Sequence, residues 1–279
     1  MENRDYFRSA AQLLSELGIT SPDEIEIEAI AFHCGATIRY RPLTGCAARI
    51  VGHGDNAIIT VDSGSPRGRQ RFSAAHELGH WMHDRGKASF TCQEEQFVKE
   101  WSALNPESRA NRYSSDLLLP ALLFAPRAKA FRIMDFDTVK TLANAFNTSL
   151  TATAIRLVEH GPLPTLLVCY SDTRREWFVR GPDVPQTLWP VDKLGSNTYA
   201  FDLLSSHTER ELHGEVPATA WFDHRSAEGH NIHEHSLRTR FGDVLTLLWW
   251  KDERMLIDLE EYEERRAGRR HDHHREQEE

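Results

Sequence analysis

The sequence predicts an α+β protein. A helical N-terminal core holding a small antiparallel sheet is followed by a short helical segment and then by a C-terminal domain that is mostly β or α+β. Three observations carry this expectation. Residues 65–86 have helical spacing around an H-E-x-x-H string, two β-rich runs precede them, and Gly161-Pro162-Leu163-Pro164 makes a rigid break before a half dominated by strand-like runs. The expected boundaries are 1–125 for the core, 126–161 for the helical segment, 162–260 for the C-terminal domain and 261–279 for a disordered, charged tail.

Along the chain, Tyr6 to Leu17 places Phe7, Ala10, Ala11, Leu14 and Leu17 at helical spacing, and Gly18 ends the run. Ser21-Pro22-Asp23-Glu24 combines an N-cap with an acidic first turn, opening a helix to about Phe32. Cys34-Gly35 breaks it, and Thr37 to Tyr40 follows as a short strand. Ala47 to Val51 and Ala57 to Val61 form a hairpin through the loop Gly52 to Asn56. The edge of such a sheet, beside a catalytic helix, is where an extended peptide is held by strand addition.

The next helix carries the chemistry. Ser65-Pro66 supplies an N-cap and a first-position proline, Phe72, Ala75, Leu78, Gly79 and Met82 make an apolar stripe, and Gly86 is a C-terminal stop. His76 and His80 are four apart, so they lie on one helical face and can turn their imidazoles to one metal ion. A hydrolytic zinc site takes three protein ligands and keeps a position for water, and Glu77 beside the first ligand can serve as the general base. Gly79 permits a close approach by another element. Any third ligand must come from elsewhere. Asn105-Pro106 caps a helix that runs from Glu107 to Leu119 and stops at Pro120, with Glu107 and Asn111 on one face. Spacing alone leaves Glu107 level with Glu94, Glu95, Glu100 and Asp116. His83, on the face of His76 and His80, is either a substrate or oxyanion contact or a packing histidine; Asn111 is the better support for a ligand. Cys46 is either a thiolate that holds the site latent or a small buried thiol.

Asp137 to Ser149 reads as a helix and turn, and Leu150 to Val158 as a second helix, in the manner of a helix-turn-helix. The second helix has one basic residue, Arg156, which favours packing or partner contact over reading DNA. The formal charge of -9 points the same way. Four scattered cysteines without a C-x-x-C pair, a polar N-terminus and no membrane-length apolar run suggest a cytoplasmic protein with no membrane partner.

The string Arg71-Phe72-Ser73-Ala74-Ala75-His76-Glu77-Leu78-Gly79-His80, with Ala110-Asn111-Arg112-Tyr113-Ser114-Ser115-Asp116-Leu117-Leu118-Leu119-Pro120 after it, resembles the ImmA/IrrE metallopeptidase family. The two motifs of that family read like R-F-T-L-A-H-E-L-G-H and E-x-x-A-N-x-F-A-A-E-L-L-M-P. Tyr113 stands for the usual Phe, and Ser114-Ser115-Asp116 for Ala-Ala-Glu. The resemblance implies a zincin-like core with zinc ligands His76, His80 and Glu107 and the base Glu77. It also implies a protein substrate, commonly a helix-turn-helix repressor whose cleavage derepresses stress or mobile-element genes. Two histidines and a carboxylate also admit manganese or iron. The competing expectation is a non-proteolytic regulator that binds DNA or a repressor through its helical segment and keeps the metal for structure.

Beyond the Gly161-Pro162 break, strands are expected at Thr165–Tyr170, Glu176–Val179, Ala218–Phe222, Asn231–Arg238, Val244–Trp250 and Arg254–Leu259, with Val244–Trp250 central. The resemblance admits a GAF-like sensory domain here. His230, His233 and His235 are either a second metal site or a solvated strand in a histidine-rich stretch.

Overall fold

The computed structural model describes residues 7–84, 90–91, 105–206, 210–240 and 242–275. It divides into two compact units, one reaching to Ala130 and including Val139–Arg156, the other made of Phe131–Thr138 and the chain from Leu157 onward.

In the first unit, α1 (Ala10–Glu16) begins at a reciprocal cap: Gln12 donates its backbone N–H to the Ser9 hydroxyl and returns its side-chain oxygen to the Ser9 N–H. Ser21-Pro22 caps only a single 3-10 turn, Pro22–Glu24, and α2 (Ile27–His33) starts later than expected. The Glu24 carboxylate folds back onto the N–H groups of Thr20 and Ser21, closing the turn, and the extended Glu26 separates it from α2.

Three strands follow: β1 (Ala36–Arg41), β2 (Ala48–His53) and β3 (Asn56–Asp62). A fourth, β4 (Phe90–Thr91), completes the order β1-β3-β2-β4. The β2–β3 hairpin is tighter than the expected five-residue loop, because Gly54 supplies the positive φ, 58°, needed at the first position of a two-residue turn. The expectation of an antiparallel sheet needs correction: β1 pairs with β3 in parallel. Only a direct hairpin forces neighbours antiparallel. Here β2 takes one side of β3, so β1, which precedes β2, lands on the other side running the same way. Ala36, Ile50, Ala57, Ile59 and Val61 form the buried face.

Helix α3 (Arg67–Asp84) packs on that face. Its first intrahelical bond runs from Gln70 N–H to the Pro66 carbonyl, so Pro66 is the cap and the helix starts one residue later than predicted. Gly86, Glu94, Glu95 and Glu100 lie outside the described residues. Helix α4 (Pro106–Leu118) starts as foreseen, with the Asn105 side chain accepting the Glu107 N–H at 3.0 Å. Next come α5 (Ala121–Ala128), α6 (Phe136–Phe146) and α7 (Leu150–His160), the last two joined through Asn147 at φ 51°. A left-handed Asn there makes the sharp turn expected of the helix-turn-helix-like segment.

The second unit is a five-stranded antiparallel sheet in the order β6-β5-β9-β8-β7. Its strands are β5 (Thr165–Ser171), β6 (Arg174–Arg180), β7 (Glu211–Pro217), β8 (Asn231–Arg238) and β9 (Val244–Trp249). The run expected to be central is central: β9 is buried on both faces, which is why it reads as unbroken apolar residues. Leu166, Val168, Tyr170, Leu248 and Trp250 face a core shared with α8 (Tyr199–Ser205) and α9 (Arg254–Arg275).

Two expected strands are not strands. Ala218–Ala220 is a 3-10 turn, and Arg254–Leu259 opens α9. In the latter, Met255, Leu256 and Leu259 are buried while Ile257 and Asp258 are exposed, a helical period too short to recognise in six residues. Helix α9 also continues through residues 261–275, where a disordered tail was expected; an i,i+4 pair, Arg265 to Glu261 at 2.8 Å, supports it. Neither α8 nor β7 was anticipated. The β7 sequence has little β propensity and is a strand because β8 pairs with it along its whole length.

Candidate metal centre

Helices α3 and α4 make the site between them. Their close approach rests on two small residues: a Cβ built on Gly79 would stand 3.0 Å from Ala110 Cα and 3.2 Å from Tyr113 Cβ. Sequence reading noted Gly79 but missed its partner. The small residue at 110, one before Asn111, was the available signal.

This contact brings three side chains together. His76 Nε2 lies 3.1 Å from Glu107 Oε2, His80 Nε2 lies 3.3 Å from Glu107 Oε1, and the two Nε2 atoms are 3.1 Å apart. Ligands around a tetrahedral zinc, with bonds of about 2.0–2.1 Å, stand about 3.3 Å from one another. Two imidazoles and a carboxylate converging at that spacing therefore suit a divalent cation. Among the described residues this is the group of His, Cys, Asp and Glu side chains that could hold a metal. With no cation between them, N–H groups of His76 and then His80 facing the Glu107 carboxyl hold it well below the usual carboxylate range, against the upward push of burial; a cation bound at the three groups would take the place of those protons.

The tautomer of His76 is set by its other nitrogen. Nδ1 is 2.8 Å from Asn111 Oδ1, an acceptor, so Nδ1 carries the proton and Nε2 keeps its lone pair for a metal. Glu77 is buried, at 1% exposure, one residue from His76.

The other sequence candidates lie elsewhere. His83 packs against Phe7, ring centroids 4.6 Å apart, and Tyr113, 5.9 Å apart, so it fits the packing alternative. Asp116 is taken by Arg156, 2.8 Å away, and Arg112. Cys46 is half-buried and is not among the converging groups. Among the described residues, the histidines of β8 do not form a second site. His233 and His235 do share a sheet face, but His235 is 2% exposed, accepting the Phe136 N–H at Nδ1 and donating from Nε2 to Glu211. That buried role corrects the picture of a wholly solvated strand. His230 instead faces Asp258 at 3.4 Å.

Residues 31–158, which include α3 and α4, match the peptidase family model described as the IrrE N-terminal-like domain. Among solved structures, the chain is similar to a Mycobacterium tuberculosis transcriptional regulator. The TM-score is 0.56 at 13% identity, over 88% of this chain and 78% of that one, a likeness of fold. No curated protein matches. Among the described residues, no helix is long and apolar enough to cross a membrane.

Proposed function

We propose, from the match of residues 31–158 to the IrrE N-terminal-like domain of a peptidase family, that this chain is a metal-dependent endopeptidase that hydrolyses a peptide bond in a protein partner. The observation that carries the reading is the convergence of His76, His80 and Glu107 with Glu77 one residue from the first ligand. His76, His80 and Glu107 would hold the cation, for which zinc is the first candidate by donor set. Once bound there, it would supply Lewis-acid chemistry for the scissile carbonyl. Asn111 keeps His76 in the tautomer that can bind. Glu77 takes a proton from the attacking water and returns it to the leaving amine. A structural metal site has no need of an acid at position 77.

The partner that the family resemblance implies is a helix-turn-helix repressor, cleaved to derepress its genes. Direct DNA binding through α7 is the weaker reading. Arg156, the helix's one basic residue among Leu150–Val158, is 3% exposed and points its Nε at the Leu119 carbonyl, 2.8 Å away. The second unit is read as regulatory, and its antiparallel sheet flanked by α8 and α9 is compatible with a GAF-like sensory role.

The test compares the intact chain with Glu77→Gln. Both are assayed for bound metal and incubated with the helix-turn-helix repressor encoded nearest to the gene. Equal metal in both, with cleavage by the intact chain alone, is the expected result. Absence of metal from both would end the peptidase reading.

A further inference from the structure

The outward face of the first unit's sheet has a chemistry that the metal site does not use. In the register of β1, β3 and β2, Arg39, Thr60 and Arg49 form one row across three strands, and Thr37, Ile58 and Val51 form the next. Arg39 and Arg49 are exposed and make no ion pair among the described residues, whereas Arg8, Arg67, Arg112 and Arg156 of the same unit each pair with a carboxylate. Val51 is 56% exposed and Ile58 40% exposed, directly opposite one another. Among the described residues of these three strands, the carboxylate on this face is Asp62, opposite Arg41, and it is occupied by the Leu43 and Gly64 N–H groups and the Ser65 hydroxyl at 3.0–3.2 Å. Among the described residues, Arg39 and Arg49 are therefore unanswered cations, on a chain of net charge -9.

We propose that this face docks a protein segment that carries carboxylates beside an aliphatic residue. Two strand spacings, about 9.6 Å, separate the arginine positions, and the apolar pair lies about 7 Å further along the strands. A segment with acidic residues on one side and a Leu, Ile or Val on the other satisfies both rows at once. A nucleic acid satisfies only the first. Its phosphates would meet the arginines, but Val51 and Ile58 offer no aromatic platform for a base, and the chain's net charge repels a polyanion. Charge complementarity and the apolar row together select an acidic protein segment. The proposal goes beyond the peptidase reading and does not depend on it, because docking requires neither the metal nor Glu77.

The test is fluorescence anisotropy with the full chain and three labelled probes. These are a 15-residue peptide of alternating Glu and Leu, the same peptide with Gln for Glu, and a 15-nucleotide oligothymidylate. The Glu peptide should bind roughly tenfold more tightly than the Gln peptide, and added salt should weaken it. Arg39→Glu with Arg49→Glu should cost at least tenfold. Val51→Thr with Ile58→Thr, which suits a strand, should cost a few-fold while leaving salt dependence intact. Thermal melts establish that both variants fold. No binding of the Glu peptide, equal binding of the two peptides, or an unchanged affinity in the arginine variant would each overturn the proposal. So would tighter binding of the oligonucleotide. None of these outcomes bears on cleavage, so failure here is distinct from failure of the peptidase reading.

Discussion

Replacing Gly79 by Ala tests whether the metal site depends on how closely α3 and α4 approach. The added Cβ would stand 3.0 Å from Ala110 Cα, 3.2 Å from Ala110 O and 3.2 Å from Tyr113 Cβ. Carbon atoms in contact sit at about 3.5–4.0 Å, so the helices must part by roughly 0.5 Å or more. Two of these neighbours are backbone atoms, which cannot rotate away. His76 and His80 lie within a turn of Gly79 and Glu107 within a turn of Ala110, and the distances in a metal site tolerate only about 0.2 Å. Overpacking costs about 1–3 kcal/mol, while Ala gains about 1 kcal/mol over Gly in a helix. The net loss of fold stability is therefore about 0–2 kcal/mol, so the variant folds. Metal affinity should fall by at least about tenfold, equivalent to about 1.4 kcal/mol. Competition with a graded series of chelators measures the affinity, and urea unfolding of metal-free protein measures the fold. A variant that holds metal as tightly as the parent would refute the argument that Gly79 sets the ligand spacing.

Other expectations follow from single contacts. Asn111→Ala removes the acceptor on His76 Nδ1; metal affinity should drop about 10–100-fold with little change in metal-free stability, and an unaltered chelator titration would show that Asn111 does not set the tautomer. Arg156→Ala removes the donor to the Leu119 carbonyl and leaves Asp116 with only Arg112; it should destabilise by about 1–3 kcal/mol in urea, and a loss of DNA affinity at unchanged stability would reverse the packing assignment. Glu234 is buried in the second unit's core, where burial outweighs the hydrogen bonds of Trp221, Ser236 and the Ala200 N–H and raises its pKa above the ordinary 4.5. The folded state then holds the proton more tightly than the unfolded state, so stability falls as pH rises from about 4.5 toward the folded pKa. Urea titrations of Glu234→Gln between pH 4.5 and 8 should lack that downward slope, and curves parallel to the parent's would count against it.

Most of the first unit was legible because its signals are local. The Asn105 cap, the four-residue spacing of His76 and His80 and each of the two motifs lie within one element or its flanks. The errors share a physical cause. Ser21-Pro22 has every mark of a helix start, yet the Glu24 carboxylate closes a single turn there instead. Residues 254–259 could alternate as a strand or wind as a helix, and only burial of Met255, Leu256 and Leu259 in the second core selects the helix. Strand β7 exists because β8 offers it a partner, which no window of seven residues can reveal.

By itself the sequence determined the chemistry on offer: two imidazoles on one helical face, an acid beside the first, and a capped second helix bearing another acid and an amide. Helical periodicity is a property of each segment alone, and so were these positions. What it left open was which acid completes the set, since Glu107, Glu94, Glu95, Glu100 and Asp116 are equivalent in one dimension. The tertiary structure supports Glu107 because Gly79 lets α4 approach until the Glu107 carboxylate meets both Nε2 atoms, while Arg156 occupies Asp116. Convergence within a few ångströms depends on how two surfaces pack, and that is decided by side chains distant in the chain.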